Sequence, residues 1–344
     1  MFSKKSTDCF MTNRFLNISV LGPIPRDTVT THNNELFEKY GCVLYTTVAL
    51  SRLVGDGGRV TPVTHMRKND ALKVRAILSA FPNVDLDHVS SGADRGDIVS
   101  LTYVDQNTRI ERQTGFMNFI GPDDLAGLLD SDAFVCVPIS DYEVPCGTLA
   151  YIKQNSAGVV ILDAHGPTNA VTRTGERVHK FWLERDLWLP HIDILKMNLQ
   201  EAGCSWFGSE YSPHALQDPQ DIGLDELPKF ATHCLKLGVK AVCVTLDQHG
   251  CVIYFRDTSG KMQEHFIKRV PVENVVDTTG CGDSFAAGLA FGYLKTNDYV
   301  KACQYGNAVG AQRCAGSELA IYRSLAGTER QIAETYGEVL SQPR

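Results

Sequence analysis

Residues 277–285 read Asp277-Thr278-Thr279-Gly280-Cys281-Gly282-Asp283-Ser284-Phe285, and the apolar run from Ala286 to Leu294 follows at once. Two glycines let a backbone bend tightly and approach an anion with no Cβ in the way. A helix starting at this bend aims its unpaired N–H groups and positive dipole end at the same point. Asp283 then falls in the first helical turn, beside the anion. A carboxylate so placed takes the proton of a hydroxyl as its oxygen attacks phosphorus, while the amides of Gly280, Cys281 and Gly282 hold the developing charge. The plain alternative for so short a string is a capped helix after a Gly-rich turn. Gly260-Lys261 is followed by Met262 and lacks the upstream glycine of a Walker A loop, so a phosphate site has to rest on the later bend.

Such a bend needs a framework to carry it. The 344 residues, 43% of them apolar, suffice for a large core in one sizeable α/β domain or two units. Short Val/Ile/Leu-rich runs alternate with helix-length amphipathic stretches, which predicts a mainly parallel central sheet with helices on both faces. Strands are expected over 17–24, 59–64, 133–139, 158–163, 192–197 and 241–246, with 251–255 returning beside the last. Helices are expected over 43–53, 71–81, 146–154, 175–188, 200–207, 225–237, 282–294, 299–314 and 328–340. Segments 25–41 and 97–120 break the alternation: they are polar and β-prone, and the second contains the alternating Thr108-Arg109-Ile110-Glu111-Arg112-Gln113-Thr114. A small β lid projecting from the sheet would explain both, and surface hairpins with no gating role are the alternative.

A net charge of −7 offers no basic stripe for nucleic acid or an anionic membrane. No uncharged apolar stretch reaches the roughly 18 residues of a spanning helix. The run from Phe15 to Ile24 contains Asn17, ends in Gly22-Pro23 and lacks a small-residue cleavage site, so it reads as a buried strand rather than a leader. Eleven cysteines form no C-x-x-C pair, and Cys136, Cys243 and Cys251 lie in apolar runs. Such cysteines read as reduced core residues, which points to the cytoplasm. The ten histidines show no metal-ligand spacing.

The nine-residue string closely resembles the C-terminal signature of the ribokinase-like sugar kinases, the PfkB carbohydrate kinase family, with Cys281 where alanine is usual. Leu21-Gly22-Pro23-Ile24-Pro25-Arg26-Asp27 is similar to the family's first strand. Asn198-Leu199-Gln200-Glu201 matches its N-x-x-E motif, and Thr245-Leu246-Asp247-Gln248-His249-Gly250 resembles its T-L-G-x-x-G nucleotide loop with Asp247 in place of glycine. Asn307-Ala308-Val309-Gly310-Ala311 looks like the small-residue helix beside the adenine. The resemblance implies a ribokinase-like domain over 14–340, with 25–41 and 97–120 as lid segments over the acceptor. It also implies an ATP-dependent kinase in which Asp283 is the base and Gly280, Cys281 and Gly282 form the anion hole. Asn198, Glu201, Thr245, Asp247, Gly250 and Asn307 would serve the nucleotide. Glu201 would hold magnesium through water, Asp277 and Thr279 would bind a monovalent cation such as potassium, and Asp163 would stand near the phosphate channel. For Asn198 and Glu201 a helix cap is an equally available role, for Thr245 to Gly250 a plain hairpin, and for Asp163 an Asp-turn before Gly-Pro.

For the acceptor the resemblance implies a small sugar or related polyol, with Asp27 offering a carboxylate to two adjacent hydroxyls. The family's G-G-x-x-x-N segment is here Tyr40-Gly41-Cys42-Val43-Leu44-Tyr45, so one glycine and the asparagine are replaced. Changing the groups that pair with hydroxyls changes the acceptor. Tyr45 stacks on a ligand, donates a hydrogen bond or belongs to the core. A nucleoside kinase of the same fold is the nearest alternative, with Phe116 and Met117 as candidates for the wall against a base. A silent relative that binds a ligand or a protein is the alternative of another class. Open lid edges suggest a homodimer formed through the lid.

Overall fold

The computed structural model describes residues 14–31, 33–104, 109–207 and 223–337. The first half of the chain forms β1 (Leu16–Leu21), β2 (Arg26–Thr30), β3 (Leu36–Tyr40), α1 (Val43–Val54), β4 (Gly58–His65), α2 (Lys68–Leu78), β5 (Val89–Ser90), β6 (Ile98–Tyr103), β7 (Arg109–Gly115), β8 (Ala133–Cys136), α3 (Cys146–Asn155) and β9 (Val159–Asp163). The second half forms β10 (Asn169–Val171), β11 (Arg177–His179), α4 (Arg185–Trp188), β12 (Ile194–Asn198), α5 (Leu199–Ser205), α6 (Leu227–Lys236), β13 (Ala241–Thr245), β14 (Gly250–Arg256), β15 (Met262–Lys268), α7 (Cys281–Thr296), α8 (Tyr299–Cys314) and α9 (Leu325–Tyr336).

The main sheet runs β15-β14-β13-β12-β9-β8-β1-β4-β5. All its ladders are parallel except those that attach β14 and β15. Its central strands are apolar on both sides, as strands covered by helices on two faces must be. Alternation then sorts their side chains into two cores. Ile18, Val20, Val135, Ile161, Ile194 and Cys243 join the core under α1, α7 and α8, whereas Leu21, Phe134, Val160, Leu162, Leu195 and Val242 join the one under α3 and α6. The parallel strands all end on one side, and the connections leaving β1, β9, β12 and β13 there carry Asp27, Asp163, Asn198 and Asp247.

The polar stretches 25–41 and 97–120 meet in a second sheet of order β3-β2-β6-β7. A parallel β2/β6 ladder joins what are otherwise two antiparallel hairpins. Residues 105–108 of this region, like 338–340 of the last expected helix, lie outside the described residues.

Two expectations are corrected. The helix expected over 175–188 is helical only at Arg185–Trp188; Arg177–His179 is instead a strand paired with Asn169–Val171. Tertiary pairing explains this, because the Gly175 carbonyl accepts from the Gln113 amide at 2.7 Å, Arg112 bridges to Glu176, and Arg177 is drawn inward. The strand β15 was not expected at all. Its residues Met-Gln-Glu-His-Phe-Ile-Lys form an edge strand, and polar side chains that blunt an edge also erase the apolar pattern by which strands are read.

Candidate active site

The bend at 280–283 is shaped by what lies behind it. Gly280 caps α7 with φ 82°, and a Cβ there would lie 2.4 Å from the ring of Tyr45, so only glycine fits. Tyr45 is buried on α1, and its neighbour Thr46 donates to the Asp283 carbonyl at 3.1 Å. Ser284 Oγ donates to the Gly280 carbonyl at 2.6 Å and also meets the Tyr322 hydroxyl at 2.6 Å. The start of α7 is thus pinned from two sides, and the amide of its first residue, Cys281, donates to the Thr278 carbonyl at 3.2 Å. Asp283 is half-buried, and among the described residues no hydrogen bond to its carboxylate is seen. Burial, and then the negative charge of Asp163, push its pKa up to about 6, against the pull of Lys196, His165 and Arg313.

Lys196 was missed from sequence. It lies on the face of β12 that turns toward α7, its Nζ is 2.6 Å from Asp163 Oδ2, and both residues are buried. The same Nζ lies 3.1 Å from where a Cβ of Gly282 would be. A cation therefore sits directly behind the anion bend, between Asp163 and Asp283. Burial alone would neutralise it, but Asp163 and the neighbouring carboxylates hold its pKa above the ordinary lysine value. The signal was present: a lysine inside the apolar strand Ile-Leu-Lys-Met-Asn has no packing reason to be there.

Asp27, Gly41 and Tyr45 come together beside this point. A Cβ on Gly41 would lie 3.0 Å from Asp27 Oδ2 and 3.7 Å from Tyr45 Cε2. Burial raises the Asp27 pKa to about 7; Lys39 opposes that rise, whereas Glu111 and Asp283 add to it. Tyr45 carries the Arg313 guanidinium 4.7 Å from its ring centre and receives Arg313 Nη2 on its hydroxyl at 3.4 Å. It forms the back wall of the bend, and its stacking partner is an arginine of the chain itself. Met117 is fully buried in the core under α3, which removes it as a wall for a base, while Phe116 is exposed.

Asp277 and Thr279, which the resemblance assigns to a monovalent cation, are engaged by charges of the chain itself. Asp277 Oδ1 accepts from the Thr279 amide at 2.8 Å, and Oδ2 carries Arg313 Nη2 at 2.7 Å and Lys39 Nζ at 3.3 Å. Burial pushes this carboxyl up, but the Thr279 amide, Lys39 and Arg313 together hold it below its usual range. Thr279 Oγ1 is buried without a partner, yet the anionic oxygen that would bind an ion beside it already holds two cations.

Asn198 and Glu201 form a reciprocal capping box on α5, each accepting from the other's amide at 2.8 Å. Glu201 is fully buried, and its second oxygen takes His165 Nδ1 at 3.0 Å. With both oxygens engaged, Glu201 does not fit a direct bond to magnesium; a water-mediated one fits, since each oxygen keeps a further lone pair. His165 Nε2 meets Arg177 Nη2 at 3.3 Å, and Arg177 also holds Gln113 Oε1 at 2.7 Å, the Ile139 carbonyl at 2.7 Å and Glu111 Oε2 at 3.3 Å. A continuous polar chain therefore runs from β7 of the second sheet through Arg177 and His165 to Glu201. None of its first three members was picked from sequence, because their partners are remote in the chain.

Thr245 ends β13 and donates to the Met197 carbonyl at 3.3 Å, next to the Asn198 strand end. Asp247 adopts φ 47° at the exposed turn between β13 and β14, so the backbone shape for which glycine is usual survives the substitution. Gly250 ends that turn. Asn307 is buried and gives its side-chain amide to the Ile267 and Lys268 carbonyls at 3.3 and 3.1 Å and to the Tyr336 hydroxyl at 3.2 Å. It fastens α8 to β15.

Residues 162–321 match the pfkB family carbohydrate kinase. The chain is 40% identical to a 2-dehydro-3-deoxygluconokinase from Bacillus subtilis over 82 residues, which are 24% of this chain and 24% of that protein. It therefore spans about a quarter of the length of that relative. By structure it resembles ribokinase from Arabidopsis thaliana complexed with ribose and ATP, with TM-score 0.66 and 16% identity over 93% of this chain and 99% of that one. It also resembles a Burkholderia thailandensis nucleoside kinase in complex with inosine, with TM-score 0.67 and 18% identity over 94% and 99%. The fold is ribokinase-like.

Proposed function

From a chain whose residues 162–321 are those of a pfkB family carbohydrate kinase, we propose an ATP-dependent phosphotransferase that moves the γ-phosphoryl group to a hydroxyl of a small carbohydrate. The observation that carries this is the convergence on one point of Asp283, the amides after Gly280, and Lys196. Asp283 accepts the proton of the attacking hydroxyl, and its raised pKa suits a base working near neutrality. The amides of Gly280 and Gly282 and the Lys196 charge stabilise the transferring group, while the Cys281 amide, expected to join them, is held by the Thr278 carbonyl. Asp27 orients the acceptor through two hydroxyls. Magnesium, held through water by Glu201, would neutralise phosphate charge. The second sheet, whose β2 carries Asp27, closes over the acceptor and excludes water from the transfer. Arg313 and Lys39 stand where the resemblance places a monovalent cation, and no step is assigned to such an ion.

The test is ATP turnover over a panel of sugars, keto-deoxy acids and nucleosides, comparing the native chain with Asp283→Asn. At least one carbohydrate is expected to be phosphorylated, and the substitution is expected to lower kcat by roughly 10²- to 10⁴-fold with nucleotide affinity nearly kept. Turnover on nucleosides alone, or none on any acceptor, overturns the reading.

A further inference from the structure

Cys281 and Cys314 lie 33 positions apart, yet their sulfurs are 3.0 Å from each other, and both residues are partly exposed. Cys281 is the first residue of α7 and Cys314 the last of α8. The two helix ends are tied together by the segment that leads into α7: the Val276 amide donates to the Cys314 carbonyl at 2.8 Å, and the Cys281 amide to the Thr278 carbonyl at 3.2 Å. A contact this close is short of the 2.05 Å of a disulfide by about one ångström.

From this geometry we infer that Cys281 and Cys314 form a reversible disulfide under peroxide and that the bond throttles the anion bend. The inference of throttling rests on the kinase reading above; that of the bond does not. In the first step the Cys314 thiolate attacks a hydroperoxide, taking one oxygen to become a sulfenic acid while the second oxygen leaves as water or alcohol. In the next, the Cys281 sulfur displaces that hydroxyl as water, and the S–S bond closes. Two electrons pass from the thiol pair to the peroxide, and two thiols restore both sulfurs by exchange. Cys314 is suited to the first step because it is partly exposed at the end of α8, with the Cys281 sulfur already beside its own. Closing the gap drags the head of α7 toward α8, and with it the amide of Gly282, which the kinase reading directs at the transferring group. A misplacement of about one ångström at such a site costs roughly 10²-fold.

The experiment exposes the reduced full-length chain to hydrogen peroxide, blocks remaining thiols, maps the digested peptides by mass spectrometry and measures turnover on the same sample. A peptide joining Cys281 to Cys314 is expected, with turnover down about 10- to 100-fold and both changes reversed by dithiothreitol. Cys314→Ser, with Cys314→Ala as a second variant, is expected to keep basal turnover and lose both responses. Absence of the joined peptide overturns the site, whatever happens to activity. A joined peptide with full turnover overturns the throttling. A joined peptide in a chain that phosphorylates no acceptor supports the bond and sinks only the functional reading.

Discussion

Asp283 and Asp27 are carboxylates whose burial works against their charge, and their titration should be visible in kinetics. With a pKa of about 6, Asp283 is protonated below that pH and cannot accept the hydroxyl proton, so kcat is expected to rise through pH 6 and level off above it. Asp27, near 7, accepts hydrogen bonds from acceptor hydroxyls best when ionised, so kcat/KM for the acceptor should keep rising through about pH 7. A pH profile of both parameters checks this, and Asp283→Asn should lack the lower limb. Stability carries the opposite sign. Both folded pKa values exceed the ordinary 3.8, so the folded state binds more protons than the unfolded one, and these two groups cost stability as pH climbs from about 4 to 7. At Asp277 the side-chain cations Lys39 and Arg313 already meet the carboxylate that the resemblance gives to an ion. Turnover in potassium and in choline salts at equal ionic strength should agree within about twofold, and Lys39→Ala should lower kcat and introduce a potassium requirement.

At the scale of elements, Arg177 joins the second sheet to the main one. It sits on the short strand β11, is almost wholly buried, and touches Glu111 and Gln113 on one side and His165 on the other. Arg177→Ala would strand the buried Gln113 acceptor and leave Glu111, which is partly solvated, without its partner, at a cost of about 1–3 kcal/mol. The expected result is a lower melting temperature together with a raised KM for the acceptor, since β7 and β2 belong to one sheet; calorimetry and steady-state kinetics read the two effects separately. This element also marks where sequence reading failed. The stretch 175–188 has helix-compatible composition, and it becomes a strand only because β7 and the site claim its backbone and its arginine. The α1, α8 and central strands were legible, since each carries its apolar pattern within itself.

At the scale of the molecule, the proposed function has nucleotide and acceptor bind between parts that meet only in the folded chain, so binding should stabilise the whole. An acceptor at 100 times its dissociation constant adds about 2.7 kcal/mol. For a chain of this size that is a rise of a few degrees in melting temperature. A thermal-shift screen in which only the phosphorylated acceptors raise the midpoint in the presence of a nucleotide would agree with the proposed site; uniform shifts across all sugars would not.

The bend at 280–283 was legible in sequence alone, because its pattern is local: two glycines, a helix start and a carboxylate lie within nine residues. So were the parallel sheet and its two apolar faces, which follow from the continuous apolar runs of its central strands. The fold alone decided that Lys196 stands behind the bend, that Tyr45 walls it, and that Arg313 and Lys39 occupy Asp277. These contacts join residues tens to hundreds of positions apart. No local pattern encodes such a meeting. It arises when strands and helices pack, and burial then forces each charge to find its partner.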